Sequence, residues 1–247
     1  MNPSRIAELL QPFLIEAGSC HSEPAKAEEA CPELGRREPA VLSPAQIQAI
    51  STYIDILLRW NARINLTAIR APEDIVTRHF GESLFAARHL FPVPSSTDSV
   101  AAAVESLADV GSGAGFPGLP IKLWAPQLSV TLIEANHKKA AFLREVTRAL
   151  TLTNVNIQNA RAEAASGSTF NVVTLRAVES FKSILPIAAS LLAPSGRLAL
   201  LIGVAQQDQA RSILPNLAWS APVPIPHSSA RTLLIGHMRA PETGDRV

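Results

Sequence analysis

Apolar residues recur at helical spacing from the start of the chain. Ile6, Leu9, Leu10, Phe13 and Leu14 share one face of a short amphipathic helix. Over residues 18–40 the pattern gives way to Ser, Glu, Pro, Ala and Arg with hardly an apolar anchor. A stretch that buries so little cannot offset its ordering entropy, so it reads as a flexible insert. Helical order resumes sharply at Ser43-Pro44-Ala45-Gln46, a capping-box pattern with proline at the first helical position. Ile47, Ile50, Ile54, Leu57 and Leu58 then line one face. A third helix is expected after Pro72, carrying Ile75, His79, Leu84 and Phe85, and Pro92-Val93-Pro94-Ser95-Ser96 reads as a linker.

Beyond the linker the period alternates between two and 3.6. Residues 107–110, 129–134, 155–158, 170–175 and 196–202 read as strands; 119–125, 138–150 and 180–192 read as helices. Such alternation predicts an α/β fold: a mainly parallel, Rossmann-like sheet of seven strands covered by helices on both faces. Residues 231–238 suit an antiparallel edge strand. The expected organisation is a helix in 1–17, the insert in 18–40, a helical subdomain in 41–95 and the α/β domain in 96–247.

The glycines sharpen this picture. Four of the twelve fall within eight residues, in Asp109-Val110-Gly111-Ser112-Gly113-Ala114-Gly115-Phe116-Pro117-Gly118. They sit between a strand and a helix, where bare backbone can approach a ligand closely; a Cβ at Gly113 or Gly115 would fill ligand space or forbid the turn. Gly113-x-Gly115-x-x-Gly118, with Glu134 about 20 residues on, satisfies a dinucleotide fingerprint. The register, Asp-x-Gly-x-Gly-x-Gly straight from a strand end, fits the S-adenosylmethionine loop of Rossmann-like methyltransferases better. Pro117 and Pro120 also remove N–H groups that a pyrophosphate would use.

Ligands in such sheets bind outside the carboxyl ends of the strands. Glu134, at one of those ends, can accept ribose hydroxyls or cap the next helix. Arg161-Ala162-Glu163 follows the third strand, as an adenine-flanking segment or a solvated turn. Arg176 closes the fourth, where burial without a partner is expensive and favours a functional role over a surface ion pair.

Composition narrows the class. The 247 residues are 47% hydrophobic, enough for a sizeable core, and the formal net charge of +1 neither advertises nor excludes a nucleic-acid partner. No apolar run approaches the ~20 residues of a membrane span. Residues 1–14 lack the features of a signal peptide, so a cytoplasmic protein is expected. Cys20, His21 and Cys31 match no compact zinc spacing; two reduced thiols and no metal are expected. No long apolar surface element is left unexplained, which predicts a monomer.

Several segments together give the chain a resemblance. They are Asn65-Leu66-Thr67-Ala68-Ile69-Arg70, Arg78-His79 with Glu82-Ser83, and residues 109–120 with their Gly-Phe-Pro-Gly-Leu-Pro ending. Lys138-Lys139 with Phe142-Leu143, and Leu175-Arg176-Ala177, complete the set. From about residue 42 to 238 the chain resembles the glucose-inhibited division protein B family, bacterial methyltransferases of 16S ribosomal RNA. The resemblance implies methylation of the 7-nitrogen of a guanine near the decoding region, with 16S RNA or the small ribosomal subunit as partner. It places the donor site at Gly111, Phe116, Ala162, Glu163 and Arg176, with Glu134 at the family's acidic ribose position and Gly113 and Gly115 in the loop.

Arg63, Arg70, Arg78, His79, Lys138, Lys139 and Arg144 are candidates for RNA contact, each also readable as a solvated cation or, for His79, as a structural hydrogen-bonding residue. The 7-nitrogen has a free lone pair, so no acid–base residue is assigned. Two departures stand out: the 18–40 insert, and Ile202 before Gly203 where many members carry Lys-Gly. A small-molecule methyltransferase, and a cofactor-binding RNA-associated protein with weakened catalysis, remain as alternatives.

Overall fold

The computed structural model describes residues 1–15, 42–92, 104–165, 167–177 and 180–238. The expected insert at 18–40, with Cys20, His21 and Cys31, and most of the expected linker lie outside the described residues.

Helix α1 (Pro3–Leu14) starts at Asn2, whose side chain accepts the Ser4 N–H at 2.9 Å. Helix α2 (Pro44–Asn61) has the capping box its sequence calls for. Ser43 Oγ accepts the Gln46 N–H at 3.2 Å, and Gln46 Oε1 accepts the Ser43 N–H at 2.7 Å. A continuous helical stretch follows as α3 (Pro72–Ile75), a π-helical turn (Val76–Gly81) and α4 (Glu82–Leu90).

The α/β part runs β1 (Ser106–Val110), α5 (Gly118–Trp124), β2 (Ser129–Ile133), α6 (His137–Ala149), β3 (Val155–Gln158), β4 (Phe170–Arg176), α7 (Phe181–Ser190) and β5 (Leu192–Gly203). It ends with α8 (Gln207–Ile213), β6 (Leu217–Trp219), β7 (Val223–Pro224) and β8 (Arg231–Met238). The sheet order is β3-β2-β1-β4-β5-β8-β6, with β7 pairing to β8. Strands β1 to β5 are mutually parallel and β8 is antiparallel to β5. Strand order reverses between β1 and β4, so the crevice for a ligand opens at their carboxyl ends.

Two expectations need correction. The sheet has eight strands instead of seven, and β8 is not an edge: β6 and β7 pair along its other side. Strands of three and two residues carry too little alternation to be read from a sequence.

The strands' period of two sorts their side chains into two cores. Leu107, Val172, Ala199, Leu201 and Leu233 face α1, α2 and α4 to α6, all within one buried cluster. Ala108, Val173, Leu198, Leu200 and Leu234 face α7 and α8 in a second. The N-terminal helices therefore share a core with the sheet and form one wall of the crevice. Trp124 Nε1–H donating to Phe91 O at 2.8 Å, and Arg197 bridging Leu90 O and Glu105, tie the two parts together.

Candidate active site

The glycine loop opens with Gly111, Gly113 and Gly115 all at positive φ (71°, 56° and 84°). The N–H groups of Gly111 and Ser112 both donate to Ile133 O, and that of Gly115 to Ser112 O. Gly113 N–H donates to Glu134 Oε2 at 2.8 Å and Gly118 N–H to Asp109 Oδ2 at 3.2 Å. Pro117 and Pro120 have none to give. A loop whose amides turn inward does not present the outward fan of donors a pyrophosphate needs; it presents bare backbone.

The glycines differ in what excludes a side chain. A Cβ on Gly115 would lie 2.4 Å from the Tyr53 hydroxyl and 2.7 Å from Leu119 Cδ1, so this position is closed by packing. A Cβ on Gly113 would meet only Gly111 O, at 3.8 Å, so the space above it is open to a ligand. Of the two reasons expected to exclude a side chain, occupied ligand space or a forbidden turn, the second applies at Gly115, where packing and φ +84° close the position.

Two buried carboxylates brace the loop. Asp109 lies at the end of β1 and accepts the Thr174 hydroxyl at 2.9 Å as well as Gly118 N–H. Burial pushes its carboxyl up to about 6, against the pull of those two hydrogen bonds. Glu134 accepts Gly113 N–H through one oxygen and Asn136 N–H, at 2.7 Å, through the other. It does not cap α6. Asn136 does, accepting the N–H groups of Lys138 and Lys139. Each Glu134 oxygen keeps a lone pair for a further donor. Ala162 is buried and Glu163 exposed in the short 3-10 turn after β3.

The opposite wall comes from the N-terminal helices. Tyr53 donates its hydroxyl to Ala114 O, and its ring stacks on Phe116 at 5.4 Å. Burial pushes the phenol upward, so it stays a neutral donor. Phe116 in turn stacks on His79 at 4.7 Å, with Phe80 edge-on and the Arg176 guanidinium 5.9 Å from its ring centre. One loop residue is thus held by four others.

Arg176 is 7% exposed and fully engaged through its terminal nitrogens. Nη1 donates to His79 Nδ1 at 3.1 Å, and Nη2 donates to Arg78 O and to Glu82 Oε2, the latter at 3.0 Å. An arginine only donates, so His79 Nδ1 carries no proton and Nε2–H donates to Thr67 Oγ1 at 2.7 Å. Burial, with Arg176 and Arg78 nearby, pulls the imidazole down to about 3. His79 is neutral, buried and bonded through both ring nitrogens, the structural hydrogen-bonding role weighed for it beside RNA contact.

Two carbonyls of the π-helical turn accept side chains: Arg78 O takes Arg176 Nη2–H, and His79 O takes Ser83 Oγ–H at 2.6 Å. Arg176 stays charged although burial lowers it to about 10, because Glu82 faces it.

Three participants escaped the sequence reading. Arg231 opens β8, pairs in register with Gly203, and reaches Glu82 Oε2 at 3.2 Å. A cation therefore stands at the end of β5, while Ile202 itself is buried in the second core. Asn61 accepts Leu66 N–H and Thr67 N–H and donates to Thr67 O, folding the Asn65-Leu66-Thr67 segment under His79. Asn159 donates to Glu134 O and Ala135 O, joining the ends of β2 and β3. Side-chain amides and arginines separated by many residues leave no local signature.

Of the remaining cations, Arg63, Arg70, Arg78, Lys138 and Arg144 are exposed and Lys139 is half-buried. Lys138 and Lys139 start α6 at the carboxyl edge, while Arg144 lies about 9 Å further down that helix. No described helix is long and apolar enough to cross a membrane.

Comparison with known proteins agrees with this geometry. The family model described as rRNA small subunit methyltransferase G matches residues 46–220. A ribosomal RNA small subunit methyltransferase G of Xylella fastidiosa is 35% identical over 197 residues, 78% of this chain and 87% of the relative. One from Halorhodospira halophila is 40% identical over 168 residues, 68% and 75% of the respective chains. In fold, the chain is similar to the ribosomal protein L11 methylase of Lactobacillus delbrueckii subsp. bulgaricus. The TM-score is 0.53 at 15% identity, over 66% of this chain and 79% of that one.

Proposed function

Since the chain belongs to the rRNA small subunit methyltransferase G family and is an S-adenosylmethionine-dependent methyltransferase, we propose that it methylates the 7-nitrogen of a guanine in 16S ribosomal RNA of the small subunit. Ribosomal RNA as substrate implies action in the cytoplasm. The observation that carries the reading is the pairing of an inward-bonded glycine loop, open above Gly113, with a carboxylate at the end of β2.

The residues fit the donor. Glu134 has lone pairs left for ribose hydroxyls, and Gly111, Gly113 and Phe116 line the approach. Ala162 and Glu163 flank the adenine side, where Gln158 Oε1 is buried without a hydrogen-bond partner and suits an amino donor. When bound, S-adenosylmethionine supplies an electrophilic methyl on a cationic sulfur: the C–S bond breaks, an N–C bond forms, and positive charge passes to the base with no proton moved.

What is asked of the protein is alignment and a field suited to that charge movement. Arg176 holds the donor side to the helical wall, and neutral His79 adds no opposing charge. Arg63, Arg70, Arg78, Lys138, Lys139 and Arg144 supply phosphate contacts around the crevice. The test offers tritiated S-adenosylmethionine with 16S RNA, with small subunits, and with neither. Label in 7-methylguanine of a ribosomal substrate is the expected result. Turnover without RNA, or donor binding with no transfer to either substrate, would overturn the reading.

A further inference from the structure

Asn159 stands one residue past the end of β3, where the ladder between β2 and β3 runs out. The strands' register stops at Ile133 and Gln158, and Glu134 N–H to Gln158 O, at 3.0 Å, is the last backbone bond between them. The next two carbonyls, of Glu134 and Ala135, lie beyond the reach of that pairing, and backbone groups in a half-buried place need partners. Asn159 supplies them. Its Nδ2 donates to Glu134 O at 2.9 Å and to Ala135 O at 3.1 Å, so one side-chain amide prolongs the ladder by two carbonyls.

The same bonds orient the amide. Two acceptors on one side demand the NH2 there, which leaves Oδ1 to accept. His137, the first residue of α6, provides the donor: its Nδ1 stands 2.6 Å from Asn159 Oδ1 and therefore carries a proton. A flip of the amide would break all three bonds, so His137 locks it.

What this clasp controls is the plane of one peptide. In a trans peptide the C=O and the N–H point in opposite directions across a rigid plane. Between Ala135 and Asn136 the C=O is held by Asn159, and the N–H donates to Glu134 Oε1 at 2.7 Å. Glu134 Oε2 accepts Gly113 N–H at 2.8 Å, at the loop glycine with open space beside it. Those two backbone N–H groups are the carboxylate's hydrogen-bond partners among the described residues. If the 135–136 peptide turned, Oε1 would lose its donor and the carboxylate would be held on one side only.

We propose that Asn159, locked by His137, is a positioning residue for the methyl donor: it sets the Glu134 carboxylate to receive the ribose hydroxyls and acts on the donor through Glu134 alone. The proposal rests on the reading of Glu134 as the ribose acceptor of this methyltransferase. An acceptor whose lone pairs are already aimed need not be ordered when the donor arrives, and that saving appears as affinity. The effect belongs to binding. The bond that breaks in the transfer is at the sulfur, whereas the clasp serves the hydroxyls of the sugar.

The test compares S-adenosylhomocysteine with its 2′,3′-dideoxyribose analogue by calorimetry on the full chain. Wild type should bind the analogue about tenfold or more weakly, because Glu134 loses both hydroxyl partners. Asn159→Ala should bind S-adenosylhomocysteine about tenfold more weakly than wild type does, yet hold the dideoxy analogue within about twofold of the wild-type value. On small subunits the same variant should raise the KM for S-adenosylmethionine by a similar factor and leave kcat within about twofold. His137→Ala frees the amide to turn and should narrow the preference for the ribose ligand in the same sense by a smaller factor; it decides the matter if Asn159→Ala does not fold. Equal weakening of both ligands would reduce Asn159 to a support of the turn, and an unchanged preference would show that Glu134 needs no clasp. Either result overturns the proposal. A wild-type protein that binds the two ligands equally would overturn Glu134 as ribose acceptor, and the proposal would fall with that reading.

Discussion

Over β1 and β2 the site is assembled from near neighbours in the chain: Gly113 to Glu134 spans 21 positions and Asp109 to Gly118 spans nine. Over β4, β5 and β8 it is assembled from distant ones, with Arg176 reaching Arg78, His79 and Glu82 across 98, 97 and 94 positions. The first half is backbone held by carboxylates. The second is buried charge held by other buried charge. Backbone in left-handed conformations needs glycines at fixed offsets, so it leaves a motif. A charge cluster needs only that its members meet after folding. The two halves should therefore fail differently when perturbed.

The largest effects belong to the loop. Gly113→Val introduces a Cβ into open space at φ +56°, so the cost to the fold is the strained conformation, about 1–2 kcal/mol, while donor space is filled. Calorimetry should show S-adenosylmethionine affinity reduced at least 100-fold in a protein that still melts cooperatively. Gly115→Val drives a side chain into Tyr53 and Leu119 and should lower the melting temperature by more than 10 °C along with affinity. Equal melting temperatures for the two variants would erase the distinction drawn between the glycines.

Next in size is Arg176. Arg176→Ala leaves Arg231 to neutralise Glu82, so the fold should survive, but His79 Nδ1 and Arg78 O lose their donor. Single-turnover methylation should fall by about 100-fold or more. Arg176→Lys keeps the charge without the planar fork and cannot serve all three partners, so it should recover only a small part of the rate. A rate within threefold of wild type for Arg176→Ala would reduce this residue to packing.

The contrast also explains what could be read in advance. The Rossmann-like architecture, the loop and the helices of the first wall were legible because each rests on periodicity or on a local motif, as in Ser43 and Gln46. Arg231 was visible only as the start of a strand, since its partner Glu82 lies on another wall, and Asn61 only as the end of a helix. Ile202 looked like a lost cation; register with β8 shows the cation arriving from the next strand. For His79 the sequence left RNA contact and a structural hydrogen-bonding role both open, because it does not reveal that both ring nitrogens are occupied. The short strands β6 and β7, which move β8 from the edge to the interior, carry no pattern at all.

A smaller effect tests the link between the halves. Tyr53 is a residue of the helical wall that bonds the loop, so Tyr53→Phe removes one hydroxyl and keeps the stack on Phe116. The loss should be about 1 kcal/mol of stability, with the carbonyl of Ala114 left unpaired. The KM for S-adenosylmethionine should rise severalfold with little change in kcat. A change in kcat alone would mean that Tyr53 acts on the transfer step instead of on the loop.

The smallest net effect is one of pH, because the halves oppose each other. Asp109, in the loop half, has its acidity shifted up from 3.8 to about 6 by burial. Its stabilising contribution is fully present below its unfolded value and is lost as pH rises through about 6. His79, in the other half, is shifted down from 6.5 to about 3. Its contribution is present above 6.5 and is lost as pH falls through about 3. Between pH 4 and 6 the folded state holds the extra proton on Asp109 while the unfolded state holds the extra one on His79, so the two slopes, each up to ~1.4 kcal/mol per pH unit, have opposite signs. The wild-type contribution of this pair should be nearly flat across that window. His79→Gln should leave the Asp109 slope, with stability falling by roughly 3 kcal/mol from pH 4 to 6 relative to wild type, and Asp109→Asn should tilt the curve the other way. Urea titrations at half-unit intervals read slopes and are insensitive to the constant cost of either substitution. Parallel curves for all three proteins would show that neither buried group keeps its shifted acidity, and the electrostatic contrast between the two halves would fall with them.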